Sequence, residues 1–369
     1  MARHRVCMRV GNPFTHDARV RREAEALAEA GLDVTVYADA RPELPNVEDL
    51  DSITVRRIRK ASRVPYWSIV KPLLAEAADV YHAHDIDSLL PCLAAARLGR
   101  RGAKVVYDSH ELWSGHAADK VHAKRRLLVR LEGPLLRATD ALITASPAYT
   151  RVITARYAYR GPTLTVLNVP RLFTDEELRP AWAARAAENR IRVTAVGVFQ
   201  KGRGAIPLIR SLAYLPEGIV IEFVGAIPQP DYEAAMRQEA ARFGDRVEFV
   251  GRIAPEAVVP RMAMARISTA LIEPLSESYR LTAPNKVFES MMAGTPLVAS
   301  DMPTIAEFVR GTECGVVCDV TDPESIARAI MSAVDGESLY RQRAREAALA
   351  YNWDAVKHEL VDLYAELVS

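Results

Sequence analysis

Two patterns in this chain could do chemistry: cations set among glycines, and histidines set among carboxylates. The densest stretch is Ala283-Pro-Asn-Lys-Val-Phe-Glu-Ser-Met-Met-Ala-Gly-Thr-Pro-Leu-Val-Ala-Ser-Asp301. Lys286 falls in the first turn of an expected helix, where the dipole disfavours a cation unless an anion is near. Free N–H groups at that end, together with Lys286, make a phosphate site. Glu289, one turn further on, can accept hydrogen bonds from a ribose diol. The plainer reading is a solvent-facing Lys286–Glu289 pair. A second cationic stretch, Phe199-Gln-Lys-Gly-Arg-Gly204, lies between an apolar run and a helix start. Strand, glycine-rich loop and helix N-terminus form a diphosphate cradle, with Lys201 and Arg203 to neutralise a departing phosphate. An ordinary turn with two solvated cations has the same sequence.

The histidines come in two neighbouring groups, His82-Ala-His-Asp85 and Asp108-Ser-His-Glu111, each closing an apolar run. His84, Asp85, His110 and Glu111 at such strand ends can position hydroxyls or a leaving phosphate. A lone histidine there would be structural. Asp85-Ile-Asp87 has the spacing of an Asp-x-Asp metal site, but Asp87 is expected to open the next helix as its cap, so no metal is expected. Nearer the start, Gly11-Asn-Pro13 breaks the first apolar run, and Asp17 begins a helix in which Arg19, Arg21 and Arg22 crowd the first turn. Pairs Arg19–Glu23 and Arg21–Glu25 at i, i+4 account for two of these, and contact with an anion is the alternative.

The elements that must hold these residues follow from periodicity. Pro284 suits a helix start and Gly294 a left-handed helix stop. Between them Val287, Phe288, Met291 and Met292 form the buried face, and 296–300 reads as a buried strand. Strands are expected at 5–10, 33–37, 53–58, 79–83, 104–108, 141–145 and 163–167, then at 191–198, 219–224, 246–250 and 267–272. Helices at about 17–30 and 205–215 are among those between them. This alternation predicts α/β architecture with doubly wound parallel sheets, whose ligands bind beyond the C-terminal strand ends. A chain of 369 residues suits two domains. The segment 168–180, with weak periodicity and two prolines, reads as the crossing, followed by a short helix at 182–189. The expected division is 1–172, 173–350, and a last amphipathic helix within 351–369 bearing Val356, Leu360, Leu363, Tyr364 and Leu367.

Composition narrows the class. A net charge of +1 gives no reason to expect a nucleic-acid partner. No leader or long apolar span is evident, so a cytoplasmic protein is expected. Cys7, Cys92 and Cys318 lie in apolar runs and read as buried thiols. Cys314 and Cys318 have no second ligand pair for zinc. Two basic runs, Arg56 to Arg63 and Lys120, Lys124, Arg125, Arg126 and Arg130, read as solvated faces in preference to a peripheral membrane contact.

The Pro-Asn-Lys-Val-Phe-Glu segment resembles the donor site of retaining glycosyltransferase family 4. The segment from His16 to Val36, the two histidine strand ends and the 199–204 loop resemble that family too, so the likeness spans nearly the whole chain. It implies the GT-B fold: two Rossmann-like domains facing a cleft, the last helix packing back on the first. It implies a nucleoside diphosphate sugar as donor, an unidentified acceptor, no cofactor, and metal-independent transfer with retention. Glu289 would bind the ribose; Lys201, Arg203 and Lys286 the diphosphate; Arg252 and Ile253 the base; Asn285 lies beside them. His110, and with it the catalytic cations Lys201 and Arg203, would serve the reacting centre. Gly11, Asn12, Asp17, Arg19, His84, Asp85 and Glu111 would lie on the acceptor side. Leu281 stands where the family pattern has its first glutamate, with Glu277 and Asn285 as possible substitutes, and Val198 stands where many relatives carry arginine. Hydrolysis or epimerisation of a nucleotide sugar on the same fold, and a non-catalytic binding subunit, are the rival readings.

Overall fold

The structure, a computed structural model, describes residues 3–15, 17–59, 66–116 and 123–369. The chain divides into two compact units, Met1–Leu167 with Val356–Ser369, and Asn168–Ala355.

The first unit is built on an eight-stranded sheet: β1 (Arg5–Arg9), β2 (Asp33–Asp39), β3 (Val47–Leu50), β4 (Ile53–Ile58), β5 (Val80–His84), β6 (Lys104–Ser109), β7 (Ala141–Thr144) and β8 (Thr163–Thr165). Their order is β3-β4-β2-β1-β5-β6-β7-β8, parallel throughout except for β3. The central strands are apolar runs because helices cover both faces; Val80–His84 is buried at every position. Register sets Arg9 beside Ala83 and His84 beside Asp108, so the loops after β1, β5 and β6 emerge side by side. β3 is an addition to the expected strands. Its sequence Val-Glu-Asp-Leu is half polar and forms an antiparallel edge on β4.

The second unit has six parallel strands: β9 (Ile191–Val198), β10 (Ile219–Ala226), β11 (Val247–Gly251), β12 (Ile267–Ala270), β13 (Leu297–Ser300) and β14 (Gly315–Cys318), in the order β11-β10-β9-β12-β13-β14. Its core joins Val193, Phe199, Leu208, Phe223, Ile267 and Ile330. The helix Asn285–Ala293 follows Pro284 in extended conformation and stops at Gly294, at φ 62°. Val287, Phe288, Met291 and Met292 are all fully buried, as their spacing predicts.

Several local expectations are corrected. The segment 168–180 is not all linker: a helix runs Asp175–Ala187, opened by a capping box in which Thr174 and Glu177 exchange hydrogen bonds, and Pro180 lies inside it. Asp87 is not a cap; it sits in the first turn of the helix Ile86–Leu98 and pairs with Arg125, while Asp85 holds the cap position. The helix starting at Ala205 ends at Ser211 and tightens into a 3₁₀ turn. All four cysteines are buried and free.

Candidate functional site

Each unit gathers a polar group at the C-terminal ends of its strands. In the first unit Asp108, at the end of β6, is the hub. It is fully buried, and Arg19 forks onto it with Nε–Oδ2 3.2 Å and Nη2–Oδ1 2.9 Å. Arg19 also reaches Glu23 Oε1 at 3.0 Å and donates to the Val166 carbonyl at 2.5 Å. The i, i+4 pair that the sequence suggests is therefore present, but inside the protein, and Arg19 is a clamp under the rim and not an exposed contact. Arg21–Glu25 forms its surface counterpart at 2.7 Å.

His110 sits above this hub. Its Nε2 lies 3.0 Å from Asp108 Oδ2 and 3.1 Å from His84 Nδ1, and its backbone N–H donates to Asp85 Oδ1 at 3.0 Å. Burial alone would push the imidazole down; Asp85 and Asp108 outweigh it and lift it to about 9. At neutral pH His110 is an imidazolium. Its Nδ1 is 3.6 Å from Asp85 Oδ2, beyond hydrogen-bond length, which leaves that N–H for a ligand. Burial opposes charge on Asp108 too, but Arg19 and then His110 hold it well below the carboxylate range. His84 and His82 are held down by burial and stay neutral. Burial lifts Glu23 to about 8 against the pull of Arg19. Asp85 takes φ 62°, a conformation unfavourable for a residue with a side chain; in it Oδ1 also accepts from the Trp113 indole at 2.9 Å.

Glu23, His82, His84 and Asp108 place one ligand atom each within 4.8 Å of one another. The positive charge this group calls for is already supplied by Arg19, which touches both carboxylates. His82 shares a 2.6 Å hydrogen bond with Tyr364 of the terminal helix and stacks on His84 at 4.1 Å. Asn12 donates to Asp17 at 2.7 Å, and Asp17 caps the helix Ala18–Glu29; both shape the loop that begins at exposed Gly11. Glu111 is half exposed and pairs with His116 at 2.8 Å.

In the second unit a cavity of about 230 Å³ opens beside the end of β9, lined by Val198, Gln200, Arg203, Ile272, Asn285 and Lys286 among others. Gly197 explains how Lys286 gets there: a Cβ on it would lie 2.9 Å from Lys286 Cε, so only glycine leaves room for that side chain. Lys286 Nζ donates to Asn285 Oδ1 at 2.8 Å, and Asn285 Nδ2 donates to Glu289 Oε1 at 2.8 Å. Glu289 Oε2 is buried and has no hydrogen-bond partner among the described residues; Lys286 Nζ lies 4.0 Å from it, so the Lys286–Glu289 pair is present but half-buried and longer than a hydrogen bond. Burial, with Arg203 adding and Glu289 opposing, holds the Lys286 ammonium below its usual range. Arg203 lies over the Tyr279 ring at 4.9 Å. The loop is tied down by Gly204 N–H to Glu273 Oε1 at 3.3 Å and Glu273 N–H to the Gly202 carbonyl at 3.0 Å. Lys201 is exposed on the same loop. Arg252 is exposed and Ile253 half-buried; they follow β11, two strands from β9, and neither lines the cavity. Leu281 ends the short helix Glu277–Arg280.

Sequence reasoning brings together Lys201, Arg203, Asn285, Lys286 and Glu289 in one unit, and His84, Asp85 and His110 in the other. It undervalues Asp108, whose only signal is a carboxylate at the strand end two residues before His110, and it misses the polar use of Tyr364. Of the basic runs, Arg57 is buried, donating to the Pro13 and Pro45 carbonyls and to Glu48, and Arg125 covers Trp113 at 4.2 Å. Lys60, Arg63, Lys120 and the Lys124 side chain lie outside the described residues. Among the described residues no helix is long and apolar enough to cross a membrane.

A family model described as Glycosyl transferases group 1 matches residues 190–335, and one described as Glycosyl transferase 4-like domain matches residues 16–169. Glycogen synthase of Mycobacterium tuberculosis is 27% identical over 78% of this chain and 68% of its own length. D-inositol 3-phosphate glycosyltransferase of Acidothermus cellulolyticus is 26% identical over 94% of this chain and 84% of its own. Among solved structures, sucrose-phosphate synthase of Thermosynechococcus elongatus superposes with a TM-score of 0.81 at 20% identity, covering 99% of each chain. Anabaena HepE, solved in complex with UDP and glucose, superposes with a TM-score of 0.77 at 16% identity, over 98% of this chain and 100% of that one.

Proposed function

Since the chain belongs to the glycosyltransferases of the GT-B fold, we propose that it moves a sugar from a nucleoside diphosphate sugar to an acceptor nucleophile, with retention at the anomeric carbon. The second unit holds the donor. The observation that carries this reading is the buried Glu289 Oε2, which among the described residues accepts no hydrogen bond and has only the Lys286 ammonium at 4.0 Å, with Oε1 fixed by Asn285. A buried acceptor without a donor is costly, and a ribose hydroxyl is the donor that fits. Lys286 and Arg203 beside the cavity, and Lys201 on its loop, then meet the diphosphate, and the glycine loop lets backbone N–H groups approach it. That HepE was solved with UDP supports this use of the fold.

Bond breaking at the anomeric carbon sends negative charge onto the leaving diphosphate. Lys201, Arg203 and Lys286 stabilise it, and no general acid is required at the phosphate. His110 serves the sugar end as an imidazolium, donating a hydrogen bond through Nδ1–H. No step is assigned to a metal, since these cations take up the phosphate charge.

A thermal-shift screen against UDP, GDP, ADP and dTDP, repeated on Glu289→Ala, tests the donor site. One nucleotide should raise the midpoint in the wild type and leave the variant unmoved. No shift with any nucleotide, or an equal shift in the variant, removes the assignment.

A further inference from the structure

The second unit carries another cavity, of about 530 Å³, at the opposite end of the strands. Arg266 immediately precedes β12 and Gly294 lies just before β13, so this cavity sits at the N-terminal strand ends, whereas the donor cavity sits at the C-terminal ends. Its walls include Trp182, Arg266, Glu337, Ser338, Arg341 and Arg345. Two of these cations are committed: Arg266 pairs with Glu337, and Arg345 with Asp175 and the Phe173 and Met292 carbonyls.

Two others are not. Arg341 has a buried Nε with no hydrogen-bond partner among the described residues. Arg185, only 4% exposed, lies behind the wall: Nη1 reaches the Gly294 carbonyl at 3.4 Å, while Nη2 has no hydrogen-bond partner among the described residues. Burial and then the charge of Arg341, with Glu337 opposing, hold its guanidinium below its usual range. Two neighbouring guanidinium groups, neither bonded to a carboxylate among the described residues, are an expensive arrangement unless an anion completes it. Of the carboxylates on the wall, Glu337 is engaged by Arg266 and Asp335 is exposed.

We propose that this cavity is a second ligand site, taking a small phosphomonoester of sugar-phosphate size. Guanidinium forks match phosphate oxygens in a bidentate manner. The volume exceeds what a bare phosphate fills and falls within the range of small-molecule sites. The Trp182 ring, its indole N–H committed to the Ala293 carbonyl at 2.9 Å and the Arg345 guanidinium over the ring at 5.7 Å, gives the organic part an apolar border beside the cations. The site shares no residue with the donor cavity and needs nothing from it.

Isothermal titration of the full chain with glucose 6-phosphate, fructose 6-phosphate and inorganic phosphate, at fixed ionic strength, decides it. At least one sugar phosphate should bind saturably at one site, several-fold tighter than inorganic phosphate. Lys286→Gln, in the donor cavity, should leave that binding unchanged. Arg341→Gln should weaken it tenfold or more, and so should Ser338→Glu, which adds a repelling charge at an exposed position and keeps the test open should Arg341→Gln fail to fold. Absence of saturable binding, binding kept in both wall variants, or inorganic phosphate binding as tightly as the sugar phosphates overturns the proposal.

Discussion

The behaviour of His110 turns on a contest between burial and two aspartates, and the aspartates win. With its folded value raised to about 9 from an unfolded value near 6.5, the folded state holds a proton that the unfolded chain releases. The resulting stability is present in full below about pH 6.5 and is lost as pH rises through about 9. A tenfold difference in proton affinity is worth about 1.4 kcal/mol, so the contribution is roughly 3 kcal/mol. Denaturant midpoints measured between pH 6.5 and 9.5 should fall steeply in the wild type and more gently in His110→Gln, with the residual slope belonging to Glu23 and, towards pH 9.5, to the buried thiols, whose raised values act in the same direction. His82 and His84 have the opposite sign: their lowered values remove stability as pH falls below about 6.5. Parallel slopes for the two proteins on the alkaline side would mean that His110 is not the charged member of the cluster. At this scale the sequence was informative about identities and poor about partners. It placed histidines and carboxylates at adjacent strand ends, but Arg19 looked like a helix-surface residue. Only the fold shows that the helix Ala18–Glu29 turns Arg19 and Glu23 inward, since a charged pair at i, i+4 is the same string whether it faces solvent or Asp108.

At the scale of elements, the cavity beside β9 depends on glycine at two strand positions for different reasons. Gly197 takes φ 136°, and an added Cβ would meet the flexible end of Lys286 at 2.9 Å; Gly225 takes φ 143°, and its Cβ would lie 1.7 Å from the backbone oxygen of Gly197. A side-chain tip can swing away, whereas a paired strand cannot. Gly197→Ala should therefore fold, with a loss of about 1–3 kcal/mol from backbone strain, and bind its nucleotide roughly tenfold more weakly because Lys286 is displaced. Gly225→Ala should lose more than about 4 kcal/mol, above the ~1–3 kcal/mol usual for overpacking because the neighbour is a paired backbone that cannot give way, and fail to accumulate as folded protein. Expression yield, thermal midpoints and nucleotide titration separate the two, and equal behaviour would refute this account of the strand ends. Most elements were legible beforehand because buried parallel strands are apolar runs and helices repeat at 3.6 residues. The exceptions are instructive. β3 is a polar edge with half a pattern, and the helix Asp175–Ala187 hides behind Pro180, although Thr174-x-x-Glu177 spells its capping box. Proline in a helix interior reads as a breaker, and here the capping box is the stronger signal.

At the scale of the molecule, the chain does not finish its first unit until its last residues. The helix Trp353–Val368 starts in the second unit, where the Trp353 N–H donates to the Pro170 carbonyl at 2.8 Å, and its later residues belong to the first. Leu360 and Tyr364 are fully buried and Leu363 nearly so. Tyr364 is more than filling: its hydroxyl meets His82 Nδ1 at 2.6 Å, His82 stacks on His84, and His84 Nδ1 lies 3.1 Å from His110 Nε2. The C-terminus thus supports the histidine cluster from below. Ending the chain after Ala355 removes three buried side chains, each worth about 1.5–3 kcal/mol, and leaves His82 Nδ1 without its partner, a further cost of about 1–3 kcal/mol. Calorimetry on the shortened chain should show the transition of the first unit lowered by many degrees or absent. The transition of the second unit, identified as the one the proposed donor nucleotide should raise, should stay within a few degrees of its full-length value. Tyr364→Phe divides the effect further: it keeps the ring and removes only the hydroxyl, so it should cost about 1–2 kcal/mol in the first transition and leave the second untouched. Should both transitions fall together in either variant, the terminal helix would be stabilising the whole chain and not the unit whose histidines it supports.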